Sequence, residues 1–132
     1  MATWAEFERE APDVAEVAAR VWPGQIASHR NEPLPKEAPW FAVSYLGTVR
    51  RDGGPRVHPI CPILANGRLL AAIPLSSPKD WDLRRDPRCV IHAMPGVDDD
   101  ELCIRAMARD VSGDAAIRTD ARAVVAGPRS EG

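Results

Sequence analysis

Apolar residues recur at three- and four-residue intervals at the start of the chain. Trp4, Phe7, Ala11, Val14, Ala18 and Val21 fall in this series, which places them on one face of a helix. Thr3 and Glu6 precede it at the spacing of a capping box. Pro12 disrupts a continuous helix, so a second helical segment is expected to begin there. Pro23-Gly24 closes the pattern. Residues 23–39 hold four prolines among mixed polar residues and read as a connecting loop, long for a compact domain.

From Trp40 the pattern turns to β-branched and aromatic residues. A strand is expected over Trp40–Arg50, a hairpin turn at Arg51-Asp52-Gly53-Gly54, and a return strand over Arg56–Leu64. Pro59 and Pro62 cannot donate to a β-ladder, so this strand is an edge, bulged, or partly unpaired. Asn66-Gly67 marks a second two-residue turn, leading to a strand over Arg68–Ile73. These three strands are expected in meander order. Ser77 reads as an N-cap and Pro78 as the first position of a helix running to Arg85. A strand follows over Arg88–Met94, then a turn at Pro95-Gly96 with Asp98, Asp99 and Asp100. The next strand, Glu101–Val111, alternates. Leu102, Ile104, Ala106 and Ala108 share one face; Cys103, Arg105, Met107 and Arg109 share the other. A last helix covers Asp114–Ala126.

The predicted order is α-β-β-β-α-β-β-α. Without β-α-β alternation a doubly wound parallel sheet is excluded. A mainly β fold is expected: a small antiparallel barrel with peripheral helices. The 132 residues suit one globular domain, with residues 1–39 as N-terminal helix and Pro-rich connection, and 40–132 as the barrel.

Composition narrows the class. Hydrophobic residues are 45% and charged residues 27%, which excludes a disordered tail, a coiled coil or a collagen-like chain. No apolar run approaches the roughly 18 residues of a membrane span. The start, MATWAEFERE, lacks the apolar stretch of a signal peptide. A cytoplasmic location away from membranes is therefore expected.

The net charge of −2 is unevenly spread. Residues 50–92 carry eight Lys/Arg against four Asp, while the segments on either side are each net −3. A basic middle in an acidic frame suits a small anionic ligand better than nucleic acid, which calls for a broader basic face. A chance imbalance of solvated charges is the alternative. Only Lys36 and Lys79 stand among 15 arginines. Cys61, Cys89 and Cys103 form no C-x-x-C pair. His58 and Cys61 have no second ligand pair at zinc spacing, so no metal site is expected.

The strongest candidate chemistry is Ser77-Pro78-Lys79 with Arg84-Arg85. A lysine in a helix's first turn opposes the dipole unless an anion sits there. A phosphate held by the Ser77 hydroxyl, the helix amides and the Lys79 ammonium would resolve the conflict. A capped surface helix with a solvated lysine is the plain alternative. Arg56 and His58 share one face of the return strand. Arg56 suits bidentate phosphate binding, and His58 suits a ligand-ring contact or an acid–base role. His92 reads as a core or interface histidine. The S-x-x-K at Ser76–Lys79 lacks its partner motifs. No G-x-G-x-x-G, Walker loop or H-E-x-x-H is present.

Three segments together carry a family likeness. Thr48-Val49-Arg50-Arg51-Asp52-Gly53-Gly54-Pro55-Arg56-Val57-His58-Pro59-Ile60, Ser77-Pro78-Lys79 and Leu83-Arg84-Arg85-Asp86-Pro87-Arg88 resemble the pyridoxamine 5'-phosphate oxidase-like proteins. The resemblance spans about residues 40–111. It implies an FMN-binding split β-barrel, a group that includes deazaflavin-dependent reductases. It further implies a homodimer with FMN, or alternatively the deazaflavin coenzyme, at the subunit interface. By position, Arg56, Val57 and His58 would border the ring and phosphate. Ala72 and Ile73 would contact the cofactor at the end of the third strand, and Ser77 and Lys79 would hold its phosphate. The implied activity is hydride transfer to or from a small organic substrate. Family members continue past the last helix into a strand that closes the barrel, and no such strand is expected here. Either the partner subunit or residues 23–39 cover that edge, or the chain is a shortened member without cofactor. A flavin-binding carrier without turnover is the remaining alternative.

Overall fold

The Asp-Gly-Gly turn organises the first hairpin. In the computed structural model, which describes residues 3–22, 24, 42–94 and 101–125, strand β1 (Ser44–Val49) runs antiparallel to β2 (Pro55–Ile60). The Gly54 carbonyl accepts from the Arg50 N–H at 2.7 Å, and the Gly53 N–H donates to the Arg50 carbonyl at 2.9 Å. The Asp52 carboxylate accepts from the Gly54 N–H at 2.9 Å. Gly53 sits at φ +86°, where a side chain would be strained.

The return strand departs from expectation. It stops at Ile60, and a separate strand, β3 (Ile63–Ala65), follows Cys61 and Pro62. Pro62 lacks the N–H that would extend the ladder. β3 pairs with β4 (Arg68–Leu70) across Asn66 and Gly67, both at positive φ, +50° and +75°. The expected third strand therefore ends at Leu70 and pairs only with β3. In place of a meander, β1 takes β5 (Arg88–Ala93) as its second neighbour, and β5 pairs with β6 (Cys103–Met107). The antiparallel order is β2-β1-β5-β6.

Six strands in two sheets do not close a barrel among the described residues. Closure needs the edge strands to pair with each other, and β2 and β6 are the edges of the four-stranded sheet. What stands is a mainly β, antiparallel fold with helices.

The chain divides into two compact units: residues 1–42, 62–70 and 112–132, and residues 43–61 and 71–111. The first contains α1 (Trp4–Glu10), α2 (Pro12–Val21), β3 and β4. The last helix of this unit, which follows α3 (Pro78–Arg85) in the chain, is α4 (Ala115–Val125). The capping box forms as expected: Thr3 Oγ1 accepts from the Glu6 N–H at 3.2 Å, and the Thr3 N–H donates to Glu6 Oε2 at 3.1 Å. Trp4 lies 4.9 Å from Phe7 and 6.1 Å from the buried Trp22, between ring centres. Asp114 Oδ1 caps α4 by accepting from the N–H groups of Ala116 and Ile117. Val124 of that helix packs with Ile63, Ala65 and Leu70.

The second unit is the four-stranded sheet with α3 on it. The alternation along β1 is clean. Ser44, Leu46 and Thr48 are buried, while Tyr45 is 44% exposed. On β2, Val57 is 65% exposed on the outer face. β6 shows the expected two faces, with Ile104 and Ala106 more covered than Cys103, Arg105 and Met107. No described helix is long and apolar enough to cross a membrane. The expected domain boundary at 39/40, residues 25–39 and Trp40 of the Pro-rich connection and strand start, the 95–100 turn and the end of the last helix all lie outside the described residues.

Gly47 lies opposite Val90 in the middle of the sheet, where a Cβ would stand 2.6 Å from Val90 Cγ1. Gly47→Ala is expected to lower stability by about 1–3 kcal/mol through overpacking. The same change in a Val90→Ala background should cost less than half as much, both read from urea unfolding.

Candidate anion-binding site

The site is built on β2 and α3. Arg56 and His58 alternate with exposed residues along β2, so both point to the face that carries Leu46 and Thr48 of β1. Helix α3 runs over that face. Its start is capped as expected: Ser77 Oγ accepts from the Asp80 N–H at 3.3 Å. The same hydroxyl donates its proton to the Pro74 carbonyl at 2.7 Å. Asp80 reaches back to accept from the Ser76 N–H at 2.9 Å and is paired by Arg84 Nε at 2.8 Å. Pro78 carries no N–H. The first turn thus uses most of its own donors, leaving the Lys79 ammonium without a hydrogen bond or ion pair among the described residues.

One turn further on, Asp82 gathers the site. It is 2% exposed. Its Oδ2 accepts from Thr48 Oγ1 and from Arg56 Nε, both at 2.7 Å. Its Oδ1 accepts from Arg85 Nη2 at 2.9 Å, and that nitrogen also donates to the Val49 carbonyl at 2.8 Å. Burial alone would raise the Asp82 pKa. The hydrogen bonds from Thr48, Arg85 and Arg56 outweigh burial and hold it below the ordinary aspartate value. Asp82 is therefore ionised at neutral pH.

His58 stands beside this network. Burial, then the charges of Lys79 and Arg56, push its pKa below the usual histidine value, and Asp82 opposes them more weakly. The ring is neutral at pH 7. Its Nε2 is buried and has no hydrogen-bond partner. A buried polar atom of this kind is uncommon in a folded protein and calls for a partner.

The sequence-predicted residues are thus partly brought together. The charges of Arg56 and Lys79 both act on the His58 imidazole. Ser77 begins the same helix with its proton committed to Pro74. Val57 lies on the opposite face of β2. Ala72 and Ile73 follow β4 instead of ending it, in the irregular segment that leads to α3. Arg84 serves an ion-pair chain with Asp80 and Asp110. His92 lies on the outer face across from Tyr45, with Nδ1 2.8 Å from the Ala93 carbonyl. Sequence reasoning missed Asp82 and Thr48. The Asp82–Arg85 spacing of three on a helix was the available signal, but it reads equally as a surface pair.

The donor set fits a phosphate-bearing group. Arginine and lysine supply cationic donors, and the unpartnered His58 nitrogen marks a place where a bound molecule completes the hydrogen bonding.

Against known proteins, no protein-family model matches the chain and no curated protein sequence matches it. Solved structures do. One is the conserved hypothetical protein Rv2991 from Mycobacterium tuberculosis, at TM-score 0.54 and 21% identity, over 68% of this chain. The chain spans 60% of that protein's length. The other is an F420 reductase, at TM-score 0.52 and 20% identity, over 83% of this chain and 82% of that one. The chain shares its fold with an F420 reductase.

Two expectations follow. The folded state depresses the Asp82 pKa, so its stabilising contribution is present above the unfolded value of about 3.9 and is lost as pH falls through the folded value. Asp82→Asn is expected to cost about 3 kcal/mol at pH 7. The gap between the two proteins should narrow below about pH 4, read from urea unfolding across pH. The His58 ring should titrate below about 6.5 by NMR, and Lys79→Ala should move its midpoint upward.

Proposed function

We propose that this protein is a flavin- or deazaflavin-dependent oxidoreductase similar to the pyridoxamine 5'-phosphate oxidase-like proteins. It binds FMN or the deazaflavin coenzyme on the antiparallel sheet unit and acts on a small organic substrate. The observation that carries the reading is the cationic edge of Arg56 and Lys79 beside the unpartnered Nε2 of His58, on a fold shared with an F420 reductase.

Each residue has a task. The Arg56 guanidinium and Lys79 ammonium hold the cofactor's phosphate by charge-assisted hydrogen bonds. Ser77 joins this clamp when its hydroxyl proton turns from Pro74 to the ligand. The neutral His58 ring gives its buried nitrogen to the bound molecule. Ala72 and Ile73 offer apolar contact to the ring system, while Val57 lies on the other face of β2. When bound, the flavin or deazaflavin supplies the hydride chemistry, and the protein supplies binding and orientation. The exposed apolar residues Tyr45, Val57 and Met107 on the outer sheet face support a homodimer in which a second copy covers them.

Titration of cofactor-free protein with FMN and, separately, with the deazaflavin coenzyme tests the reading. Saturable binding at micromolar or tighter affinity is expected for one of them. Lys79→Ala should weaken it about tenfold, or about 1.4 kcal/mol. Folded protein that takes up neither would overturn the proposal. Binding without hydride exchange would leave a carrier.

A further inference from the structure

We infer that Asp82 is a positioning residue for the bound anion: it grips Arg56 by Nε and so turns both Nη groups of that arginine toward the ligand. This rests on the anion-binding reading above and adds to it the residue that orients the clamp.

Three observations carry it. Asp82 does not touch a ligand itself, because it is 2% exposed and both carboxylate oxygens already accept from protein donors. The two arginines are held by opposite ends. Arg85 gives one terminal nitrogen, Nη2, both to Asp82 and to the Val49 carbonyl, so that end is turned into the protein as a strut. Arg56 gives only Nε, and its four remaining N–H groups make no hydrogen bond among the described residues. The Arg56 side chain is 30% exposed, so that free end reaches solvent.

The chemistry explains why an arginine and an acid are paired here. A guanidinium can be gripped at Nε and still present a planar pair of donors. A lysine ammonium has three donors on a single nitrogen, so when one is held the others form no planar pair at a fixed angle. Thr48, on the neighbouring strand, fixes the same carboxylate oxygen by donating to Oδ2 at 2.7 Å. The grip thus transmits the geometry of β1 and α3 to the tip of a β2 side chain. Preorganisation of this kind favours ligand binding because fewer rotamers are lost on association.

A double-mutant cycle separates this role from a structural one. The probes are FMN, the deazaflavin coenzyme and inorganic phosphate, each titrated against the full chain. Asp82→Asn is expected to weaken binding about tenfold in the wild-type background and less than twofold in an Arg56→Met background. Arg56→Lys, which keeps the charge but has no Nε to grip, should lose the coupling to Asp82 as Arg56→Met does. Thr48→Val removes one of the bonds that fix the carboxylate, so it should weaken binding in the same direction as Asp82→Asn but by a smaller factor. Should Asp82→Asn not fold, NMR of wild-type Arg56 gives the readout: the Nε–H stays protected from exchange while phosphate shifts the Nη signals. An equal loss from Asp82→Asn in both backgrounds, or an Nε–H that exchanges freely, overturns the inference. Binding of FMN or the deazaflavin coenzyme with an additive cycle would sink the inference alone. Phosphate binding with a coupled cycle, but no uptake of either coenzyme, would sink the proposed function alone. Binding of none of the three probes would overturn both.

Discussion

A single buried carboxylate ties the sheet unit together. Asp82 accepts from Thr48 on β1, Arg56 on β2 and Arg85 on its own helix. Removing a charge from water is expensive, and the expense is offset only when each lone pair finds a donor in good geometry. Here the donors come from three elements, so the carboxylate is comfortable only when the hairpin and α3 are docked in one arrangement. The interaction is therefore a constraint on geometry more than a source of stability. Its consequence is local order at the place where the charges of Arg56 and Lys79 act on a neutral imidazole.

The electrostatics of that place are one-sided. Asp82 engages Arg56 and Arg85, and Lys79 remains beside His58 without a counter-charge among the described residues. Burial disfavours the charged imidazole, and the cations reinforce it. Uncommitted cationic donors and a buried nitrogen lacking a partner are the features on which the proposed anion site rests. The helix start contributes less than its sequence suggests. Ser77, Asp80 and Pro74 close the first turn on themselves, and Arg84 holds Asp80 in that arrangement. Side-chain cations, rather than helix amides, supply the uncommitted donors there.

Local chemistry made much of the fold legible in advance. Thr3 and Glu6, Ser77 and Pro78, and Asp52-Gly53-Gly54 each act within three or four residues, so their caps and turns follow from neighbours alone. The break of α1 and α2 at Pro12 and the two faces of β6 are of the same kind. What could not be read was partner choice. The Pro62 break was visible, but whether it bulges one strand or starts another sheet depends on where β4 finds its pair. That β1 takes β5 as its second neighbour is decided over more than forty residues of chain.

The candidate site divides along the same line. Arg56, His58 and Lys79 were singled out because residue type and position on a strand face or in a first helical turn already restrict their chemistry. Asp82 was not, because an aspartate in the middle of a charged helix looks like a solvated surface group until the β-hairpin covers it. By itself the sequence determined the caps, the turns, the strand faces and the basic middle of the chain, all set by interactions between near neighbours. Only the tertiary structure decided which strands pair and that Asp82 is buried beneath two arginines, because burial and long-range pairing are properties of packed elements rather than of any one segment.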